Sequence, residues 1–253
     1  MADRIAPQTL RLRLGGKPVE LELPVPAEAV APQAMMPVFQ MLADTLVSAA
    51  TSAAEQAGHC VSCRLKCAAC CRQLVPLAAA EVPWIRELVD RMPEPRRSQV
   101  QARFAEALRR LEAAGLLDDL QGLRSLADED LLALANAYVS QDIACPFLED
   151  ESCSIYAERP LACREYLVTS PAENCFGAGP RQIDRVPLPV SVSSVLPRLG
   201  SDDQQGGRAT TPLVLALQTS AGAPAPQLRP GAELLGELLA RLTGTWKPPG
   251  TAT

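Results

Sequence analysis

The chain has 253 residues, 47% apolar and only 4% aromatic, with a formal net charge of −5 and nine cysteines. That is ample material for a core without covalent staples, and scarce aromatics beside abundant Ala and Leu favour packed helices over a β-sandwich or barrel. The net acidity withholds the attraction that general nucleic-acid or anionic-membrane binding needs, and no run of about eighteen uncharged apolar residues offers a bilayer span.

The first residues, MADRIAPQTLRLRLGG, lack the apolar stretch of a secretory signal, which leads to the expectation of a cytoplasmic protein. Thr9 to Leu14 and Val19 to Leu23 alternate apolar and polar residues around Gly15-Gly16, a hairpin pattern that Pro24 and Pro26 then punctuate. Met35, Met36, Phe39, Leu42 and Leu46 recur at helical spacing and predict a long helix from about Pro32 to Ala57, with Gly58 as its end. Further helices are predicted over Pro76 to Met92, Pro95 to Gly115 and Asp128 to Ser140. Arg96, Arg97, Arg103, Arg109 and Arg110 fall on the second of these and read as a solvated helix face. Val190 to Leu199 and Thr211 to Gln218 read as short helices with strand as the competitor; Ser201 to Gly207 and Ala221 to Pro230 read as loops, and Glu233 to Leu242 as a last amphipathic helix.

All nine cysteines fall in two blocks, HCVSCRLKCAACC (His59 to Cys71) and CPFLEDESCSIYAERPLACREYLVTSPAENC (Cys145 to Cys175), with more than seventy cysteine-free residues between them. In a reducing compartment such clustering points to metal ligation or redox chemistry and not to disulfides. On an ideal helix Cys60, Cys63, Cys67, Cys70 and Cys71 share one face, yet the ends of that stripe stand roughly 16 Å apart at 1.5 Å per residue, too far for one ion. The segment is therefore either partly unwound around a centre or holds more than one metal with ligands from the second block. In that block Cys145 precedes Pro146, and Arg159-Pro160 opens a short helix whose positive end is expected to lower the Cys163 thiol pKa. His59 is the sole histidine, so a His-based hydrolytic site cannot be assembled without it; it reads as a solvated helix-end residue.

The residues Cys67-Ala-Ala-Cys70-Cys71-Arg72, Cys145-Pro146-Phe147-Leu148 and Cys153-Ser-Ile155-Tyr156-Ala-Glu-Arg159-Pro160-Leu-Ala-Cys163-Arg164 resemble the CxxCxxCC-type cysteine-cluster family of zinc- or iron-chelating domain proteins. The resemblance implies Cys67, Cys70, Cys71, Cys145, Cys153 and Cys163 as core ligands. It also makes Arg159 and Arg164 signature residues, expected around the cofactor. On physical grounds the guanidinium groups of Arg159, Arg164 and Arg72 either offset thiolate charge by hydrogen bonds to sulfur or pair with Glu158, Glu165 and Glu173. Cys60, Cys63 and Cys175 are additional candidate ligands.

Two further readings stay open at this stage. Distant relatives resemble flagellin lysine N-methylases, which implies an iron–sulfur cluster on Cys63, Cys67 and Cys70 and S-adenosylmethionine as cosubstrate; the Cys63-x3-Cys67-x2-Cys70 spacing fits, while a glycine-rich nucleotide turn is missing from the sequence. The other is a redox or iron-sensing protein that docks another protein through its hairpin and Pro-rich tail. The expected architecture is a mainly α, irregular helical domain around a cysteine-ligated metal centre. Residues 1–28 form a β-hairpin, 29–180 the metal-binding domain and 181–253 a helical extension packed on it.

Overall fold

Residues 4–64, 66–123, 127–176, 182–201, 210–218, 226–245 and 247 are described by the computed structural model. Strands β1 (Ile5–Leu14) and β2 (Lys17–Pro26) form an antiparallel ribbon in which Leu10 faces Leu21 and Leu12 faces Val19. Gly15 and Gly16 both take positive φ, 57° and 80°, as a two-residue turn matched to strand twist requires. The ribbon is longer than expected: Pro24 and Pro26 continue β2 instead of ending it, opposite Pro7 and Ile5. A two-stranded sheet has only edge strands, so a proline's missing N–H can face outward without breaking the ladder.

After β3 (Ala29–Val30) and a 3-10 turn at Pro32–Met35, α1 (Met36–Gln56) runs to Gly58, whose φ of 85° stops it. The His59 amide donates to Ala54 O and the Gly58 amide to Glu55 O, the paired closure of a glycine-terminated helix. One face of α1 (Met36, Phe39, Leu42, Ala43, Leu46) packs under the ribbon and against the last helix, α8 (Gly231–Leu242). The start of α8 lies so close to β2 that a Cβ on Gly231 would sit 2.6 Å from Pro26 O.

The predicted helix at Pro76 to Met92 divides into β4 (Pro76–Ala78) and α2 (Glu81–Asp90), and β4 pairs with β7 (Thr210–Pro212). The Thr211 to Gln218 helix is replaced accordingly by β7 and a 3-10 turn, Leu213–Leu215. Neither partner shows this pairing alone, because each strand is three residues long. Next come α3 (Arg96–Ala113), α4 (Leu117–Gln121), which the sequence did not predict, and α5 (Asp128–Ser140). Helix α3 separates two cores. Val100 and Phe104 join Ile85, Leu88, Phe147 and Ile155, with Phe104 edge-on to Phe147 at 5.5 Å; Ala107 and Leu111 join Leu120, Leu134, Tyr138 and Val214. Each large apolar side chain so buried contributes about 1.5–3 kcal/mol.

The arginines of α3 are engaged. Arg103 and Arg96 pair with Glu149 at 2.6 and 3.8 Å, Arg97 with Glu94 at 2.8 Å, and Arg109 with Glu106. Glu149 belongs to β5 (Leu148–Glu149), which pairs with β6 (Ser152–Cys153), so α3 braces the second cysteine block. Then follow α6 (Leu161–Glu165) and α7 (Val192–Val195), the latter helical with a 3-10 turn after it and not a strand. Strand β8 (Arg229–Pro230) pairs with β3. The fold is mainly α with an N-terminal hairpin, and the loops expected at 202–207 and 221–225 lie outside the described residues. No helix among the described residues is long and apolar enough to cross a membrane.

Candidate metal centre

The described residues between α1 and β4 contain no helix, so the thiol stripe of an ideal helix does not exist here. The chain turns repeatedly instead: the Cys67 amide donates to Arg64 O, Cys71 to Ala68 O and Gln73 to Cys70 O, with Lys66 at φ 67°. Of the two arrangements that reach allowed, the unwound one is present. Cysteines at this density lack the long apolar side chains that would hold a helix on the core.

The second block meets the first through the backbone. The Cys145 amide donates to Cys71 O at 2.7 Å, and the Ser62 amide donates to Val168 O at 2.9 Å. The Val168 amide in turn donates to Cys63 Sγ at 3.4 Å. Gln73 Nε2 donates to Cys175 O at 2.8 Å, and the Cys175 thiol contacts the Tyr166 hydroxyl at 4.0 Å. Cys145 and Cys153 flank the β5–β6 turn and pack on the core of α2 and α3.

Cys163 rides on α6, a short helix held by three carboxylates. Glu81, fully buried at the start of α2, accepts from the Leu161 amide (2.9 Å) and the Ala78 amide (2.8 Å), joining α6 to β4. Arg164 Nη1 donates to both oxygens of Asp44 on α1 at 2.7 Å, while its other nitrogens donate to Arg159 O and Ala157 O. Glu165 accepts from Ser191 and Ser193 hydroxyls and from the Val192 and Ser193 amides, closing the start of α7. Of these acids the sequence singled out only Glu165, and that as an arginine partner. Glu81 was traceable in one respect: it shares the apolar side of its helix with Ile85 and Leu88.

The arginines divide by partner. Arg164 has Asp44, and Arg72 pairs with Asp142 (3.0 Å) and Glu151 (3.2 Å) while lying over the Phe176 ring. Arg159 stacks 4.2 Å over the Tyr156 ring, its Nε is buried without a hydrogen-bond partner, and its positive charge acts on Cys70 and Cys153. Neither Arg164 nor Arg72 uses Glu158, Glu165 or Glu173; Glu158 goes to Arg91.

Electrostatics joins the thiols into one constellation. Cys63 lies in the field of Cys67, Cys70 and Cys175; Cys163 in that of Cys145, Cys70 and Cys153; and the Cys70 and Cys71 thiols hydrogen-bond to each other. Burial pushes the thiols of Cys63, Cys153 and Cys175 up, Cys145 up to about 12 and Cys163 far above the ordinary range; the hydrogen bond that the Cys70 thiol donates to Cys71, and then burial, do the same to Cys70. The expected lowering of Cys163 by its helix end is overturned, since a five-residue helix cannot offset the desolvation that raises it. Neutral thiols packed this way become thiolates when a cation supplies the compensating charge. Cys60 is exposed and turned to Val61 O, and His59 is exposed at the end of α1.

Among the described residues no three His, Cys, Asp or Glu side chains already stand in an ion-holding arrangement, so any ion must draw these sulfurs together. The donor set nonetheless fits zinc or iron: soft thiols come from two blocks whose backbones are hydrogen-bonded to each other, and the Arg159 guanidinium, without a hydrogen bond at Nε, carries the positive charge that acts on Cys70 and Cys153.

Residues 62–181, just under half of the chain, match the model of the CxxCxxCC family, described as "Putative zinc- or iron-chelating domain". Eight of the nine cysteines lie within the match and Cys60 lies just before it. Comparison with curated proteins and with solved structures gives no match.

Proposed function

We propose that the protein binds zinc or iron through thiolates of both cysteine blocks, and that the metal ties the turns after α1 to the segment from β5 to Cys175 without a reaction of its own. The observation that carries this reading is that the two cysteine blocks, more than seventy residues apart, meet directly: the Cys145 amide donates to Cys71 O, the Val168 amide to Cys63 Sγ, and Gln73 Nε2 to Cys175 O. The supporting residues suit a holding role: Glu81, Asp44 and Glu165 fix α6, and Gln73 and Val168 fix the backbone around Cys175 and Cys63. When bound, the ion supplies positive charge and cross-links; the chain's own residues supply thiolate donors, orientation and the Arg159 charge. Anaerobic purification followed by elemental analysis is expected to give at least one equivalent of zinc or iron, and a folded, metal-free protein that takes up neither would overturn the reading. A brown colour that bleaches in air marks an iron–sulfur cluster, and a colourless protein marks zinc.

A second reading is an iron–sulfur protein that uses S-adenosylmethionine to methylate a protein lysine. It is supported by one observation: a cavity of about 420 Å3 lined by Glu165, Arg185 and Ser191 adjoins the thiol constellation through Ala162 and Tyr166. Calorimetry of the iron-loaded protein with S-adenosylmethionine tests it, and absence of binding removes it.

A further inference from the structure

We infer that β1 is an open sheet edge that pairs antiparallel with β1 of a second copy of this chain, making one four-stranded sheet across a two-fold axis. This goes beyond the metal-binding reading and does not depend on it.

The register of the ribbon fixes which backbone groups are free. The Ala27 amide donates to Arg4 O at 2.8 Å, one step beyond the last paired residues, Ile5 and Pro26. Antiparallel pairs alternate between bonded and non-bonded, so Ala6 with Val25, Gln8 with Leu23, Leu10 with Leu21, Leu12 with Val19 and Leu14 with Lys17 are the bonded pairs. The backbone groups of the remaining residues point away from the ribbon: Ile5, Pro7, Thr9, Arg11 and Arg13 on β1, and Pro18, Glu20, Glu22, Pro24 and Pro26 on β2. Every proline of the two strands therefore sits at an outward position.

The two edges differ in consequence. Pro18, Pro24 and Pro26 interrupt the outward edge of β2, which protects it against strand addition, and β2 is also the strand that rests on α1 and α8. The outer strand β1 keeps consecutive outward N–H and C=O groups at Thr9, Arg11 and Arg13, and among the described residues none of these groups has a hydrogen-bond partner.

A second copy fits this edge. With β2 blocked, copies cannot add head to tail, and β1 on β1 closes after two. In the register where Thr9 of each copy faces Arg11 of the other, no arginine opposes an arginine: Arg11 has Glu20 at 3.1 Å on its own ribbon and threonine across the axis, and Arg13 faces Pro7. On the inner face Leu10 meets Leu10 on the axis, beside the partly buried Leu12 and Leu14. A foreign acidic strand has less to add, since Arg11 already holds a carboxylate and Arg13 is turned to Gly16 O at 3.1 Å. A two-stranded ribbon is marginal alone and gains from becoming a wider sheet.

The test uses the full chain, purified without oxygen under reducing conditions so that no intermolecular disulfide forms. Sedimentation should give a reversible dimer that dissociates between about 1 μM and about 1 mM, as a small interface does, and no larger species. Hydrogen exchange read residue by residue should show the Thr9, Arg11 and Arg13 amides protected in the dimer and losing that protection on dilution, while Leu10 and Leu12 stay protected throughout. Thr9→Pro and Arg11→Pro each remove one outward donor per copy and spare the ribbon's own ladder, as Pro18 and Pro24 do. Each should raise the dissociation constant at least about tenfold, whereas Arg11→Ala, which keeps the amide, should retain the dimer. A monomer with these amides unprotected overturns the proposal and leaves the edge to a strand of another protein. A monomer with them protected overturns it in favour of cover by the chain's own residues. A dimer indifferent to Thr9→Pro and Arg11→Pro, or assembly beyond two copies, overturns it as well. Should the proline variants fail to fold, the concentration dependence of the wild-type amide protection decides.

Discussion

The Cys145 amide donates to the Cys71 carbonyl at 2.7 Å, so the last residue of the first cysteine block and the first residue of the second are joined backbone to backbone. Around this bond the cysteines are partly buried, and the desolvation of Cys145 and Cys163 opposes their ionisation without a cation.

Metal removal should therefore lower stability markedly. An ion present at about 1,000 times its dissociation constant contributes about 4 kcal/mol. For a chain of this size each kcal/mol is worth about 2–4 °C. Calorimetric scans with and without chelator should differ by about 10 °C, and coincident scans would count against metal cross-linking of the two blocks.

Arg164 is buried at 5% exposure, whereas the Asp44 carboxylate is half open to solvent. Arg164→Ala removes a guanidinium with partners on Asp44, Ala157 and Arg159 and should cost about 3 kcal/mol. Asp44→Ala leaves the two carbonyl bonds in place and should cost about 1 kcal/mol. Urea titration of the two variants reads the asymmetry, and equal losses would place the main role of Arg164 elsewhere.

Burial raises the Glu81 carboxyl to about 7 against the hydrogen bonds from Ala78 and Leu161. The folded chain then holds a proton that the unfolded chain releases above about 4.5. Stability from this group is present below pH 4.5 and lost as pH rises through 7, by about 3 kcal/mol at most. Denaturant titrations of metal-free protein from pH 5 to 8 should show that decline, and Glu81→Gln should flatten it. An equal slope in both proteins would refute the assignment.

Gly231 admits no side chain without movement of β2, because the obstacle is the Pro26 carbonyl at 2.6 Å and not a flexible side chain. Gly231→Ala should destabilise by about 1–3 kcal/mol despite the better helix propensity of alanine. Thermal melting against the control Gly236→Ala, where nothing lies within 4 Å, separates the clash from the propensity gain.

What was legible in the sequence follows periodicity. The Gly15-Gly16 hairpin, α1 and its Gly58 stop, α3, α5 and α8 carry their own apolar spacing, and the structure has all of them. Strands β4 and β7 were illegible because three residues carry no period and their partner lies in distant sequence. In the candidate site, the spacing Cys60 to Cys71 imitates a helical face although the segment is turned, since every third or fourth residue can also mark successive turns. The roles of the carboxylates around α6 were hidden because a lone acid on a helix looks the same whether solvated or receiving a distant amide or guanidinium.

The helices α2 to α5 lie between the two cysteine blocks and supply two of the three cores. Ligands so far apart along the chain come together only after that insert has condensed, because closing the loop early costs entropy that no ion contact yet repays. Metal capture is thereby a late event. Added zinc or iron should leave the refolding rate almost unchanged and slow unfolding instead, so that the ion acts as a latch on a structure already formed.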